Sequence, residues 1–159
     1  MDQGISAKDF GSRLIAERDA LKSLIEILET EQKCLIDGDT DKLLDLSDRK
    51  TNTVHAIAKL ASSRKDDLLL NETEIKAQGI IAWLQHYDAD SLPIWTDIQY
   101  LAEQMQNLNR TNGILIQTKL RHNQQALAVL LNATNNTHGL YGADGQPHLR
   151  SSSRILGSV

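Results

Sequence analysis

The sequence predicts an all-α protein, an elongated antiparallel helical bundle of three to four helices with coiled-coil-like packing and a flexible C-terminal tail. Three observations carry this. Leucines recur at seven-residue steps near the amino terminus, and a second apolar pattern at three- and four-residue steps runs from Leu92 to Leu131. Only two prolines, Pro93 and Pro147, fall in 159 residues. Aromatic residues make up 4% of the chain against 40% hydrophobic residues overall, so the core must be built from leucine, isoleucine, valine and alanine. At this length one domain with a real core is expected. Residues 1–131 are read as the helical bundle and residues 132–159 as the flexible tail.

The first helix is expected from about Ser6 to Asp37, where Leu14, Leu21, Leu28 and Leu35 mark one face and Leu24, Ile25 and Ile36 widen it. Gly38 stands where a helix C-terminus favours glycine. Asp39, Thr40 and Asp41 then offer capping oxygens to a second helix, whose stripe reads Leu43, Leu46, Ser47, Val54, Ile57, Leu60 and Ala61. So short a turn sets the two helices side by side and antiparallel.

A break or kink is expected at Asn71 to Thr73, followed by a shorter helix carrying Ile75, Gln78, Gly79, Ala82, Trp83 and His86. It ends before Asp88-Ala-Asp-Ser91. Ser91 is read as the cap of the last helix, and Pro93 sits early in it, where a missing amide hydrogen costs little. That helix carries Ile94, Ile98, Leu101, Met105, Leu108, Leu115, Ile116, Leu120, Leu127 and Leu130.

Composition excludes several function classes. The net charge is -4, and no lysine- and arginine-dense face with interleaved aromatics occurs, so nucleic acid is not an expected partner. Cys34 is alone, which fits a reducing cytoplasm. No run approaches the roughly 20 apolar residues of a membrane span, so stable membrane insertion is not expected and the location is read as cytoplasmic.

The five histidines show no zinc-type spacing, and no serine or cysteine nucleophile signature accompanies them; no catalytic residue, metal ligand or cofactor site is assigned. Asp37-Gly-Asp-Thr-Asp41 resembles the start of a calcium loop. Its sixth and twelfth positions, however, are Lys42 and Asp48 where glycine and glutamate are needed, which favours a turn between helices. Trp83 and Trp95 flank the 88–92 loop and are expected to meet there, closing one end of the bundle.

The last helix has a polar side rich in amides, among them Gln99, Gln104, Gln106, Gln117, Gln124 and Gln125. Amides hydrogen-bond both ways without the desolvation penalty of ions, which suits either reversible protein contact or a plain solvated face. Asn112 and Asn123 fall on the apolar stripe itself. A buried asparagine there sets helix register at a cost in stability, and direct contact with a partner is the alternative. Beyond the helix, residues 132–159 hold too little apolar surface to offset the entropy of ordering.

Asn107-Leu-Asn-Arg-Thr-Asn-Gly-Ile-Leu-Ile116, Arg121-His-Asn-Gln-Gln-Ala-Leu127 and Leu140-Tyr-Gly-Ala-Asp-Gly-Gln146 together resemble the bacterial flagellar FlgN-type export chaperones. The specific letters lie in Asn107 to Leu130 and Leu140 to Gln146, whereas the first two helices match only in general pattern. The resemblance implies a cytoplasmic chaperone of flagellar type III export. Such a chaperone binds hook-filament junction proteins, prevents their premature assembly and delivers them to the export gate and its associated components, with no covalent change. It implies cargo contacts at Ile116, Leu120, Leu127 and Leu130 and in the tail at Leu149, Ile155 and Leu156. It also implies docking on the export gate through Tyr141, supported by Leu140 and Gly142. Beyond Gln146 the tail is poorer in lysine than the family pattern. The competing reading is a self-associating structural coiled-coil adaptor.

Overall fold

The computed structural model describes the backbone of residues 7–70 and 72–138 and the side chains of residues 9–68 and 79–134. Over these the chain is all-α, with helices packed against one another: α1 (Ala7–Asp37), α2 (Leu43–Leu70), α3 (Glu72–Tyr87), a single 3-10 turn (Ala89–Ser91) and α4 (Leu92–His138). The chain divides into two units, Met1–Ile116 and Gln117–Val159.

In the first unit, α1 buries one unbroken seam. Phe10, Leu14, Glu17, Leu21, Leu24, Leu28, Glu31 and Leu35 alternate four- and three-residue steps, and all are buried. This is the heptad spacing that keeps one helix face toward its neighbours. Each leucine so buried contributes roughly 1.5–3 kcal/mol relative to exposure. Ile36, expected to widen the stripe, is instead 64% exposed. One residue past Leu35 is about 100° round the helix, which carries it off the seam.

The facing seam of α2 runs Leu43, Leu46, Lys50, Thr53, Ile57, Leu60, Arg64 and Asp67, all at least partly buried. Ser47 and Val54 were expected on this stripe and are exposed, because the seam takes polar residues at the intervening steps and leaves both to one side. Arg13 pairs with Asp67 at 2.6 Å, Arg64 with Glu17 at 2.8 Å and Lys50 with Glu31 at 3.1 Å. As one partner's number rises the other's falls, so α1 and α2 are antiparallel, as the short turn implies.

In that turn the amides of Gly38 and Asp39 both donate to the Cys34 carbonyl at 3.0 Å. Gly38 has φ 78°, a left-handed conformation in which glycine carries no Cβ penalty. The expected capping oxygens are used differently. The Leu43 amide takes the Thr40 carbonyl at 3.2 Å, and the Asp39 carboxylate pairs with Lys42 at 3.0 Å, raising the Lys42 pKa by hydrogen bond and charge.

Helix α2 runs to Leu70 and α3 starts at Glu72, so Glu72 and Thr73 are helical, while Asn71, the first residue of the expected break, lies outside the described residues. A kink further along was not expected: Gly79 has φ 75° and ψ 160°, so α3 bends there instead of running through. Side chains on Cβ oppose that conformation, and glycine permits it. After the kink, Trp83 and Leu84 are buried beside Phe10, Leu14, Leu21 and Ile98, forming the main core.

Trp83 belongs to this core and Trp95 packs against it, with different ring partners. Trp83 meets Phe10 edge-on at 5.4 Å and Tyr87 at 5.5 Å, whereas Trp95 lies under the Arg64 guanidinium at 5.0 Å. Phe10, arriving from the start of α1, takes the contact expected between the tryptophans. Ser91 is buried, and its hydroxyl donates to the Asp88 carboxylate, so it closes the 3-10 turn rather than serving only as a cap.

Gly11 lets α1 approach that turn closely. A Cβ there would stand 2.6 Å from Ser91 Oγ and 3.1 Å from Asp88 Oδ2, whereas one at Gly113 meets nothing within 4 Å. Alanine normally stabilises a helix interior over glycine by roughly 0.5–1 kcal/mol. Gly113→Ala is therefore expected to stabilise by about that much in urea denaturation. Gly11→Ala is expected to destabilise by about 1 kcal/mol net, because overpacking outweighs the propensity gain. Equal responses at the two sites would disprove the close contact.

In its first-unit part α4 runs parallel to α1, since Ile98 packs with Leu14 and Leu21 while Asn112 reaches Leu28 and Glu31. The helix continues to His138, seven residues beyond the Leu131 expected. Asn132-Ala-Thr-Asn-Asn-Thr-His138 contains neither glycine nor proline, and the next breaker is Gly139.

Candidate protein-binding surface

Two asparagines expected on one stripe have opposite surroundings. Asn112 is fully buried, and its Nδ2 donates at 2.8 Å both to the Leu28 carbonyl and to Glu31 Oε2. Glu31 also accepts from Lys50, so three helices share one polar knot, in which Asn112 Oδ1 has no partner. This is the arrangement by which a seam asparagine sets register. Asn123, in the second unit, is exposed.

Within the second unit every side chain from residue 120 through 134 is exposed. Leu120, Leu127, Val129, Leu130 and Leu131 show 56%, 57%, 67%, 64% and 55% of their surface, where a core leucine such as Leu14 shows none. Of the residues assigned to cargo, Ile116 closes the first unit at 45% exposure, and Leu120, Leu127 and Leu130 lie on the second. Ile114, Val129 and Leu131 are exposed apolar residues that the stripe reading left out. They neighbour stripe positions in sequence, and only their exposure marks them. Scattered exposed leucines are ordinary, but an apolar run on one helix is a mark of a protein-binding site.

Leu140, Tyr141, Gly142, Leu149, Ile155 and Leu156 lie outside the described residues, as do the expected properties of the tail beyond His138. In the described part of the second unit the only fully charged side chains are Lys119 and Arg121, and no carboxylate occurs from residue 104 through 143. Among the described residues no helix is long and apolar enough to cross a membrane, and no group of three or more His, Cys, Asp or Glu is placed to hold a metal.

A separate groove of about 210 Å³ opens within the first unit, lined by Leu24, Leu28, Val54, Ile57 and Met105 with Lys50 and Asn109. It contains none of the residues that the sequence assigned to binding.

A family model described as FlgN protein matches residues 1–148. The chain is 30% identical over 130 residues to the flagella synthesis protein FlgN of Proteus mirabilis, covering 79% of this chain and 81% of that one. It is 31% identical over 140 residues to the protein of the same name from Yersinia enterocolitica, covering 85% of each. No solved structure matches. Agreement over this much of the length, in a helical chain that leaves apolar side chains of its last helix uncovered, means that the chain belongs to the FlgN family.

Proposed function

We propose that this protein is a cytoplasmic flagellar type III export chaperone that binds hook-filament junction proteins, prevents their premature assembly and delivers them to the export gate. The observation that carries the reading is the exposed apolar run of α4. Its leucines keep more than half of their surface uncovered by the fold, and covering that surface with a partner contributes on the order of 1–2 kcal/mol each. Family membership supplies the flagellar context. Cargo contact is assigned to Ile116, Leu120, Leu127 and Leu130 and, in residues 132–159, to Leu149, Ile155 and Leu156. Docking on the gate is assigned to Tyr141 with Leu140 and Gly142. The role needs reversible binding and no covalent chemistry.

The test is a titration of purified junction proteins against the wild-type chain and a Leu120→Lys/Leu127→Lys variant. Both positions are exposed, so the variant should unfold at the wild-type denaturant concentration. Its cargo affinity is expected to fall about 100-fold, since two buried apolar contacts are exchanged for desolvated charges. Undiminished affinity in a folded variant would remove this face from the binding site. Light scattering on the free chain tests the competing adaptor reading, which requires a large self-assembly at low micromolar concentration.

A further inference from the structure

We infer that Asn123 is a partner-selecting residue, and that the helix covering the second unit's apolar face is an acidic amphipathic helix of another protein presenting a carboxylate opposite Asn123. The inference rests on the reading that this face binds a protein, and it adds which helices are accepted and why.

In the second unit the apolar positions Leu120, Leu127 and Leu130 follow a three-four alternation whose remaining step, between Leu120 and Leu127, is Asn123. A helix that covers the leucines must cover the amide as well. The positions bordering this seam are Gln117, Lys119, Gln124, Ala126, Leu131 and Ala133. Paired two-stranded helices commonly choose partners through charges at such positions. Here only Lys119 is charged, so the flanks favour an acidic partner and leave the choice among acidic helices to the seam.

The same helix shows what a seam amide requires once covered. Eleven residues earlier, Asn112 Nδ2 donates to the Leu28 carbonyl and to the Glu31 carboxylate, both at 2.8 Å. A covered Asn123 facing only leucine would lose its water and gain at most a backbone carbonyl, as Asn112 has from Leu28, with no carboxylate beside it, which penalises an all-leucine partner. A carboxylate opposite it supplies an acceptor, and Lys119 and Arg121 lie within four residues to balance that charge.

Charge also argues against a second copy of this chain as the occupant. From residue 104 through 138 the helix has no aspartate or glutamate, so another copy brings cations and no carboxylate to the seam. An acidic helix brings what is missing.

The experiment uses the full chain and three synthetic amphipathic helices of equal length. The first has a leucine seam interrupted by one glutamate and acidic flanks, the second an uninterrupted leucine seam with the same flanks, and the third the interrupted seam with lysine flanks. The wild-type chain is expected to bind the first about tenfold more tightly than either of the others. Asn123→Leu should reverse the order of the first two, and Lys119→Glu/Arg121→Glu the order of the first and third. An unchanged ranking in Asn123→Leu, binding of none of the three, or self-association of the wild-type chain through Leu120, Leu127 and Leu130 would each overturn the inference. If Asn123→Leu keeps the wild-type ranking while Leu120→Lys/Leu127→Lys loses the junction proteins, the chaperone reading stands and the selecting role falls. If the lysine variant keeps them, the binding face itself is wrong.

Discussion

Leu14→Ala is expected to lower the unfolding free energy by about 3–4 kcal/mol, in the middle of the range for truncating a core leucine. Leu14 is fully buried, in a cluster with Phe10 and Leu21 of α1, Trp83 and Leu84 of α3 and Ile98 of α4. Three helices therefore line the space that alanine would leave. Relaxation into the cavity would have to disturb the edge-on packing of Phe10 on Trp83, held at 5.4 Å and 79°. A cavity that cannot collapse keeps its full cost, because the atoms around it lose contacts and find no others. Leu44, 75% exposed on α2, is the control: alanine there should change stability by no more than about 0.5 kcal/mol. Urea denaturation reads both, with the midpoint shifted and the slope unchanged for Leu14→Ala. A loss below about 1.5 kcal/mol would place the main core away from this junction.

Spacing alone carried the helices, because a leucine at every seventh position of α1 has one economical explanation. The same spacing contained Glu17 and Glu31, since both complete the alternation through Phe10, Leu14, Leu21, Leu24, Leu28 and Leu35. Nothing local identifies them as buried. Their cations, Arg64 and Lys50, stand 47 and 19 residues away and are brought opposite only by the hairpin register. The kink at Gly79 was hidden for another reason. A glycine inside a helical pattern is tolerated at about 1 kcal/mol, so its presence does not separate a continuous helix from a broken one. Asn112 and Asn123 share residue type and stripe, yet one is buried and the other exposed, and what distinguishes them is the set of neighbours present around each. The exposed apolar face proposed for binding was legible for a related reason. Ile116, Leu120, Leu127 and Leu130 continue an apolar pattern, and tertiary packing decides which part of that pattern the fold consumes.

Arg64→Ala is expected to cost about 3 kcal/mol, more than a surface ion pair can account for. Arg64 Nε and Nη2 grip both oxygens of Glu17 at 2.8 and 3.1 Å, and the same guanidinium lies 5.0 Å over the Trp95 ring. Glu17 is 4% exposed and sits between Leu14 and Leu21 on the seam. Without its cation it must stay charged in an apolar layer, take up a proton or pull the helices apart, and each route destabilises the fold. Arg64→Lys keeps the charge, but a compact ammonium loses the paired geometry and the flat contact with Trp95, so an intermediate loss of about 1–2 kcal/mol is expected. Glu17→Leu/Arg64→Leu removes both charges and continues the leucine seam. It is expected to be more stable than Arg64→Ala, within about 1 kcal/mol of the wild type, because neither ion is left without a partner. The double-mutant cycle built on Glu17→Ala and Arg64→Ala should return a coupling of at least about 2 kcal/mol. A coupling under about 0.5 kcal/mol would mean that the pair behaves as an exposed one and that the register of α1 against α2 rests on the leucines alone.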